Sequence, residues 1–182
     1  MLARRMEAHP DDAPRRNLEL KSRCRNLAQA REAVLQLGAR DGAVLEQTDT
    51  YFHCSSGRLK LRETAGRGAE LIAYARPDLA EVRASEYHLA PVDHPVRLKQ
   101  CLASALGVRV LVVKRRELLI WHNVRIHLDD VEGLGTFVEL EAVMGPSEDE
   151  AVSEAHIKLL AAALSLQPDD YIASSYGDLM QP

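Results

Sequence analysis

The stretch Asn17-Leu-Glu-Leu-Lys-Ser-Arg alternates polar and apolar side chains from residue 17 to residue 23. Leu18 and Leu20 fall on one side of an extended chain, and the polar residues fall on the other. Successive side chains of a β-strand point to opposite faces. The stretch therefore predicts a strand with one apolar face and one charged face, which carries Asn17, Glu19, Lys21 and Arg23.

Similar alternation recurs in six further segments, at residues 57–63, 70–76, 84–89, 110–120, 123–129 and 136–143. Short turns at residues 65–68 and 132–135 join consecutive segments, which is typical of antiparallel pairing. Helical segments separate several of these strands. The predicted fold class is therefore α+β, an antiparallel β-barrel with helices packed outside it.

Four helices are predicted from the residues that begin them. Asn26 precedes an apolar run and can cap the first helix, and Pro95 stands at the start of the second. Ser147 and Glu150 form a capping-box pattern ahead of the third helix. A short fourth helix is predicted in the tail after Pro168.

Length and composition indicate one globular domain. The chain has 182 residues, of which 46% are hydrophobic and 27% are charged. Ordinary domains run to roughly 100–200 residues. Residues 1–16 contain charges and prolines but no apolar signal-like run, so they are predicted to form a disordered leader before a single domain at 17–182.

Charge, hydropathy and cysteine content argue against several classes of partner. The net charge of −4 argues against nucleic acid, whose binders usually carry a basic excess. No apolar run approaches the about 20 residues that span a bilayer, so no membrane partner is expected. The three cysteines are an odd number without a CxxC pair, which predicts a reducing compartment, the cytoplasm.

The charges are sorted by sign along the predicted strands. Arg58, Lys60 and Arg62 place three like charges on one strand face, where they repel one another unless an anion lies between them. Carboxylates are grouped on other strands, at Glu19, Asp129, Glu139 and Glu141. The alternative interpretation is that each polar face simply points to water, as in many antiparallel sheets.

Separate clusters of cations and carboxylates suit a phosphorylated ligand with a divalent metal. Arginine and lysine neutralise phosphate oxygens, and carboxylates hold Mg²⁺ or Mn²⁺ together with substrate phosphates. A metal that bridges phosphates stabilises the charge that develops in phosphoryl or nucleotidyl transfer. The sequence contains no P-loop, Rossmann glycine motif, HExxH or GxSxG to indicate another active site.

Six blocks in order resemble the CYTH family, the triphosphate tunnel metalloenzymes. Residues 17–21 resemble its ExExK signature, and the tail at residues 175–179 resembles its closing SYxxLL-like segment. The blocks between them are residues 48–52, 57–63, 113–116 and 126–141. The Leu-Lys-Ser-Arg continuation and the Asp-x-Val-x-Gly-Leu-Gly-x-Phe-x-Glu block at 129–139 are closer to the class IV adenylate cyclase branch.

The resemblance implies a tunnel with a basic wall and a metal-binding wall. The implied metal ligands are Glu19, Glu139 and Glu141, with Asp129 either a further ligand or a group that orients the ligands. The implied phosphate-binding residues are Lys21, Arg58, Lys60, Arg62, Arg76, Lys114, Arg116 and Arg125. Lys21 and Glu139 are the implied catalytic residues, with Lys21 positioning a water or a hydroxyl. Tyr176 is implied to close one tunnel mouth.

The chain departs from the family signature at Asn17, where the first glutamate is expected. An amide oxygen can coordinate a metal but supplies no negative charge. His127 is interpreted either as a base that titrates near neutral pH or as a hydrogen-bonded interior histidine.

Three functions follow from the resemblance. The first is cyclisation of ATP to cyclic AMP and pyrophosphate, and the second is hydrolysis of thiamine triphosphate, a nucleoside triphosphate or tripolyphosphate. The third is a non-catalytic triphosphate sensor whose metal site is weakened by Asn17. The resemblance also implies a homodimer.

Overall fold

The computed structural model describes residues 13–181, which contain a closed barrel of eight antiparallel strands. The strands are β1 Arg15–Arg23, β2 Arg40–Phe52, β3 Arg58–Thr64, β4 Gly68–Ala75, β5 Arg83–Val92, β6 Val108–Trp121, β7 Val124–Val131 and β8 Gly135–Met144. Around the barrel they follow the order β1-β5-β4-β3-β2-β6-β7-β8, and β8 pairs with β1 to close it. The predicted fold class is confirmed.

The helices are α1 Leu27–Gln36, α2 Pro95–Leu106, α3 Glu150–Ala163 and α4 Tyr176–Leu179, with a 3-10 turn at Pro168–Asp170. Asn26 caps α1 as predicted, because its side chain accepts a hydrogen bond from the Gln29 amide. The capping box predicted for α3 is wrong. Asp149 caps that helix instead, accepting from two backbone amides of the first turn.

Strand β2 was not predicted as a strand, although it has 13 residues. Its pairing with β6 contains two register shifts, one between Asp41 and Ala43 and one between Tyr51 and Phe52. An irregular register interrupts the two-residue period by which strands are recognised. Strand β1 begins at Arg15, two residues before its predicted start. The rest of the predicted leader, apart from residues 13 and 14, lies outside the described residues.

The barrel carries its main hydrophobic core on its outer surface. The apolar faces of β1, β7 and β8 pack against α1 and α3, with Leu20, Ile126 and Leu140 meeting Val34 and Ile157. All five of these side chains are at most 2% exposed. Because strand side chains alternate, burying the apolar face outside directs the charged face into the barrel. The alternation thereby creates a polar interior.

A second apolar cluster joins the C-terminal segment to the barrel. Tyr176 and Phe137 pack there with ring centroids 5.0 Å apart, among Tyr51, Val112 and other buried apolar residues. Gly177 lies against the Tyr51 ring, where an added Cβ would sit 3.1 Å from the nearest ring atom. Tyr176 is therefore buried in the barrel, and its predicted closure of one tunnel mouth stays a prediction.

Neither a membrane-spanning helix nor a disulfide bond occurs among residues 13–181. None of the helices within residues 13–181 combines the length and the apolar character needed to cross a bilayer. Cys24, Cys54 and Cys101 are free thiols.

Candidate active site

A cavity of about 280 Å³ lies inside the barrel and is lined mainly by charged and aromatic side chains. All of the residues predicted for the site line this cavity except Arg58 and Asp129. The strand register explains why they converge. Lys21 on β1 lies opposite Glu139 on β8, and two residues earlier on the same face Glu19 lies opposite Glu141.

The carboxylates on β1 and β8 have contrasting environments. Glu139 lies 3.1 Å from Lys21 Nζ and 2.7 Å from Arg116 Nη2. Burial acts to raise the pKa of Glu139, but Lys21, the nearby His127 ring and Arg116 hold it well below its ordinary value. Glu19 accepts from Arg76 at 2.6 Å, yet burial and the nearby Glu139 raise its pKa to about 7. Glu19 and Glu139 are thus close enough to repel each other when both are charged, which favours binding of an added cation.

The structure groups three possible metal donors, from His127, Glu139 and Glu141, whose ligand atoms all lie within 4.8 Å of one another. Two buried polar atoms in this region, Asn17 Oδ1 and His127 Nδ1, have no hydrogen-bond partner among the described residues. Carboxylate and amide oxygens with an imidazole nitrogen form a donor set that fits a divalent cation. The compact group does not include Glu19, whose predicted ligand role stays a prediction.

Asp49 on β2 organises the cationic wall and was missed by sequence reasoning. Its carboxylate accepts from Arg62 at 2.7 and 2.8 Å, from Lys114 at 2.8 Å and from Lys60 at 3.1 Å. Burial acts to raise the pKa of Asp49, but the three cations hold it well below its ordinary value. The only signal for Asp49 was its place in the block Thr48-Asp-Thr-Tyr-Phe, which resembled the family.

Two predicted site residues make other contacts. Arg58 does not line the cavity, since it binds Asp178 of the tail through Nε at 3.0 Å and Asp78 through Nη2 at 2.7 Å. Asp129 accepts both nitrogens of a bidentate bond from Arg116 and also the Tyr176 hydroxyl at 2.8 Å. The geometry therefore gives Arg58 a role in holding the tail, and gives Asp129 a role in orienting Arg116.

The CYTH domain family model matches residues 15–176, which include every strand and the tail residue Tyr176. This chain belongs to the CYTH family. The resemblance first drawn from the sequence blocks is therefore confirmed over most of the chain. Among curated proteins, no sequence matches it significantly.

Solved structures share this CYTH fold along nearly the whole chain. The PH1012 protein of Pyrococcus horikoshii is 24% identical, with a TM-score of 0.80 over 91% of this chain and 99% of its own. A Vibrio parahaemolyticus protein provisionally named adenylate cyclase is 19% identical, with a TM-score of 0.70 over 90% of this chain and 97% of its own. At these identities the likeness establishes the fold alone.

Proposed function

We propose that this CYTH protein is a divalent-metal-dependent enzyme that cyclises ATP to cyclic AMP and pyrophosphate. The observation that carries the proposal is the cavity itself, in which a wall containing Lys60, Arg62 and Lys114 shares one enclosed space with Glu139 and Glu141. Cations of this kind bind phosphate oxygens, and the carboxylates can hold the metal that bridges them. The free thiols accord with a cytoplasmic location, which we also propose.

The cavity also has an apolar and aromatic part that a bare triphosphate does not need. Ile72 pairs with Leu89 and Tyr74 pairs with Tyr87 on β4 and β5, and all four side chains line the cavity. Flat apolar surfaces of this kind suit a nucleobase or another ring. This feature supports a nucleotide substrate, and the provisional name of the Vibrio relative agrees with it.

In the proposed reaction the ribose 3′-oxygen attacks the α-phosphorus, the bond to the β-phosphate oxygen breaks, and the hydroxyl proton leaves to solvent. A bound divalent metal supplies charge neutralisation at the phosphates. Lys21 is placed to position the attacking hydroxyl. Its Nζ lies 3.1 Å from the Glu139 carboxylate and 4.1 Å from the Tyr176 ring centre. Arg62 and Lys114 hold the phosphates, so the reacting atoms stay aligned.

The test is product analysis with the purified chain, Mn²⁺ or Mg²⁺, and separately ATP, thiamine triphosphate and tripolyphosphate. Cyclic AMP and pyrophosphate from ATP are expected. Orthophosphate release from any of the three would replace cyclisation with hydrolysis and would name the substrate. Triphosphate binding without turnover would replace catalysis with sensing, in agreement with the neutral Asn17.

Lys114 makes triphosphate binding pH-dependent. Burial lowers its pKa from 10.5 to about 7, Arg62 and Arg116 act in the same direction, and Asp49 opposes them. A bound triphosphate adds negative charge and raises this pKa, so the complex takes up a proton above pH 7. The affinity for the triphosphate is therefore highest below pH 7, and above pH 7 it falls by up to about tenfold per pH unit.

The measurement is calorimetric titration of metal-free protein with ATP between pH 6.5 and 8.5. The matched control is Lys114→Arg, which stays charged throughout this range. Ionisation of the ATP itself affects both proteins equally, so the difference between their slopes isolates Lys114. Equal slopes for the two proteins would contradict the prediction.

A further inference from the structure

A ring nitrogen of His127 stands in the same donor group as the carboxylates of Glu139 and Glu141. The pairing of β7 with β8 produces this arrangement, because His127 lies directly opposite Glu139 and Glu141 follows two residues later on the same inward face. His127 Nδ1 lies 3.5 Å from Glu139 Oε2, which is a contact but not a well-formed hydrogen bond. The imidazole is thus placed by the sheet register beside two carboxylates.

His127 and Asn17 are both deeply buried with an unpartnered polar atom. The two residues are 5% and 4% exposed, and neither His127 Nδ1 nor Asn17 Oδ1 finds a hydrogen-bond partner within residues 13–181. Buried polar groups are normally satisfied, since an unpaired one has lost its hydration without compensation. Both atoms are lone-pair donors when the imidazole nitrogen is unprotonated, and lone-pair donors of this kind are the atoms that bind a metal ion.

The spacing is compatible with one ion. Ligand atoms about 2.0–2.2 Å from a metal lie at most about 4.4 Å apart. The donors of His127, Glu139 and Glu141 lie within 4.8 Å of one another, so small side-chain rotations bring them to coordination distance. Asn17 sits two residues before Glu19 on β1, and Glu19 is the residue opposite Glu141.

We propose that this cluster binds a first-row transition-metal dication, Mn²⁺, in preference to Mg²⁺, with the His127 nitrogen as a ligand. The inference rests on the metal site of the proposed function. Mg²⁺ takes oxygen ligands almost exclusively and gives up water reluctantly, whereas first-row transition-metal dications accept an imidazole nitrogen. Among them Mn²⁺ is the one that also suits a site made mainly of carboxylates. The anionic charge is also modest, because Glu139 is shared with Lys21 and Arg116 and residue 17 is a neutral amide.

The test uses the full chain, stripped of metal and titrated with Mn²⁺ alone, in the absence of ATP. Electron spin echo spectroscopy of the bound Mn²⁺ is expected to show coupling to a ¹⁴N nucleus, which changes to the ¹⁵N pattern when only the histidines are labelled. Competition is expected to require Mg²⁺ in at least tenfold excess to displace half of the Mn²⁺. Bound Mn²⁺ without nitrogen coupling, or displacement by an equal concentration of Mg²⁺, would overturn the proposal.

Variants separate His127 from other histidines. Removing a residue that only hydrogen-bonds to a metal ligand already lowers metal affinity about 10–100-fold. Removal of the ligand itself in His127→Gln is therefore expected to weaken Mn²⁺ binding at least about tenfold and to abolish the coupling to ¹⁴N. His88→Gln is the control, because His88 is exposed. The labelled wild-type protein carries the test even if the His127 variant does not fold.

The binding measurement is independent of the reaction. Nitrogen-coupled Mn²⁺ without turnover of any triphosphate would overturn the proposed function and leave this inference standing. Turnover with Mn²⁺ bound by oxygen atoms alone would overturn this inference and leave the function standing.

Discussion

Replacement of Asp49 with asparagine is expected to lower the free energy of unfolding by about 3–5 kcal/mol, the range for breaking a buried ion pair from one side. The Asp49 side chain is 1% exposed and bonds Lys60, Arg62 and Lys114. Without its charge, Lys60 and Arg62 lose the carboxylate that neutralises them, and Lys114 loses the partner that raises its pKa. The measurement is urea unfolding followed by circular dichroism at low ionic strength.

The control for this variant is Asp78→Asn. Asp78 also bonds an arginine, Arg58, but its side chain is 53% exposed, so its loss is expected to cost at most about 1 kcal/mol. Tripolyphosphate without metal is expected to stabilise the Asp49 variant more than the wild type, since a bound anion replaces the missing carboxylate. Equal stabilisation of both proteins would show that the three cations are not the phosphate-binding wall.

Replacement of Glu139 with glutamine is expected to lower the metal-dependent turnover at least about 100-fold. A metal contributes several kcal/mol at developing charge, and each 1.36 kcal/mol changes a rate about tenfold. Glutamine keeps the volume of Glu139 while removing one of the carboxylates in the metal-binding group. The measurement is steady-state turnover of ATP across a range of Mn²⁺ concentrations, where excess metal is expected to restore part of the rate.

Two further measurements separate this loss from unfolding. ATP affinity without metal is expected to stay equal or to rise, because a negative charge has left the cavity. Asp130→Asn is the matched control, since Asp130 is exposed on the same sheet and full turnover is expected. Unchanged turnover in the Glu139 variant would exclude Glu139 from the active site.

Local patterns were most informative where one strand face repeats a single chemical type. Alternation with leucines placed Lys60 and Arg62 on one charged strand face, and the resemblance to the CYTH family implied that this face lines the tunnel. The same pattern also placed Arg58 there, although it stands at the first residue of β3 and pairs with the tail. Alternation specifies a face of a strand, but it does not specify the depth along the barrel.

Choices between neighbouring candidates depended on backbone geometry. Ser147 and Asp149 are both good capping residues before α3, and only the conformation of the turn decided for Asp149. Asp49 was missed for a related reason. A single acid in an irregular strand has no local pattern, and its three partners come from β3 and β6, which are distant in sequence.

The sequence by itself determined that the strands have one apolar and one charged face, because successive side chains of a strand alternate. The resemblance implied that the charged faces line a tunnel, and the structure shows the apolar faces packed outside against α1 and α3. The order of the sequence blocks along the chain also identified the CYTH family. Only the tertiary structure decided which charged groups pair, since Asp49 meets Lys114 and Asp129 meets Arg116 through strand register. The contact of His127 with Glu139 arises in the same way. Register depends on the closed sheet as a whole, so no single segment encodes it.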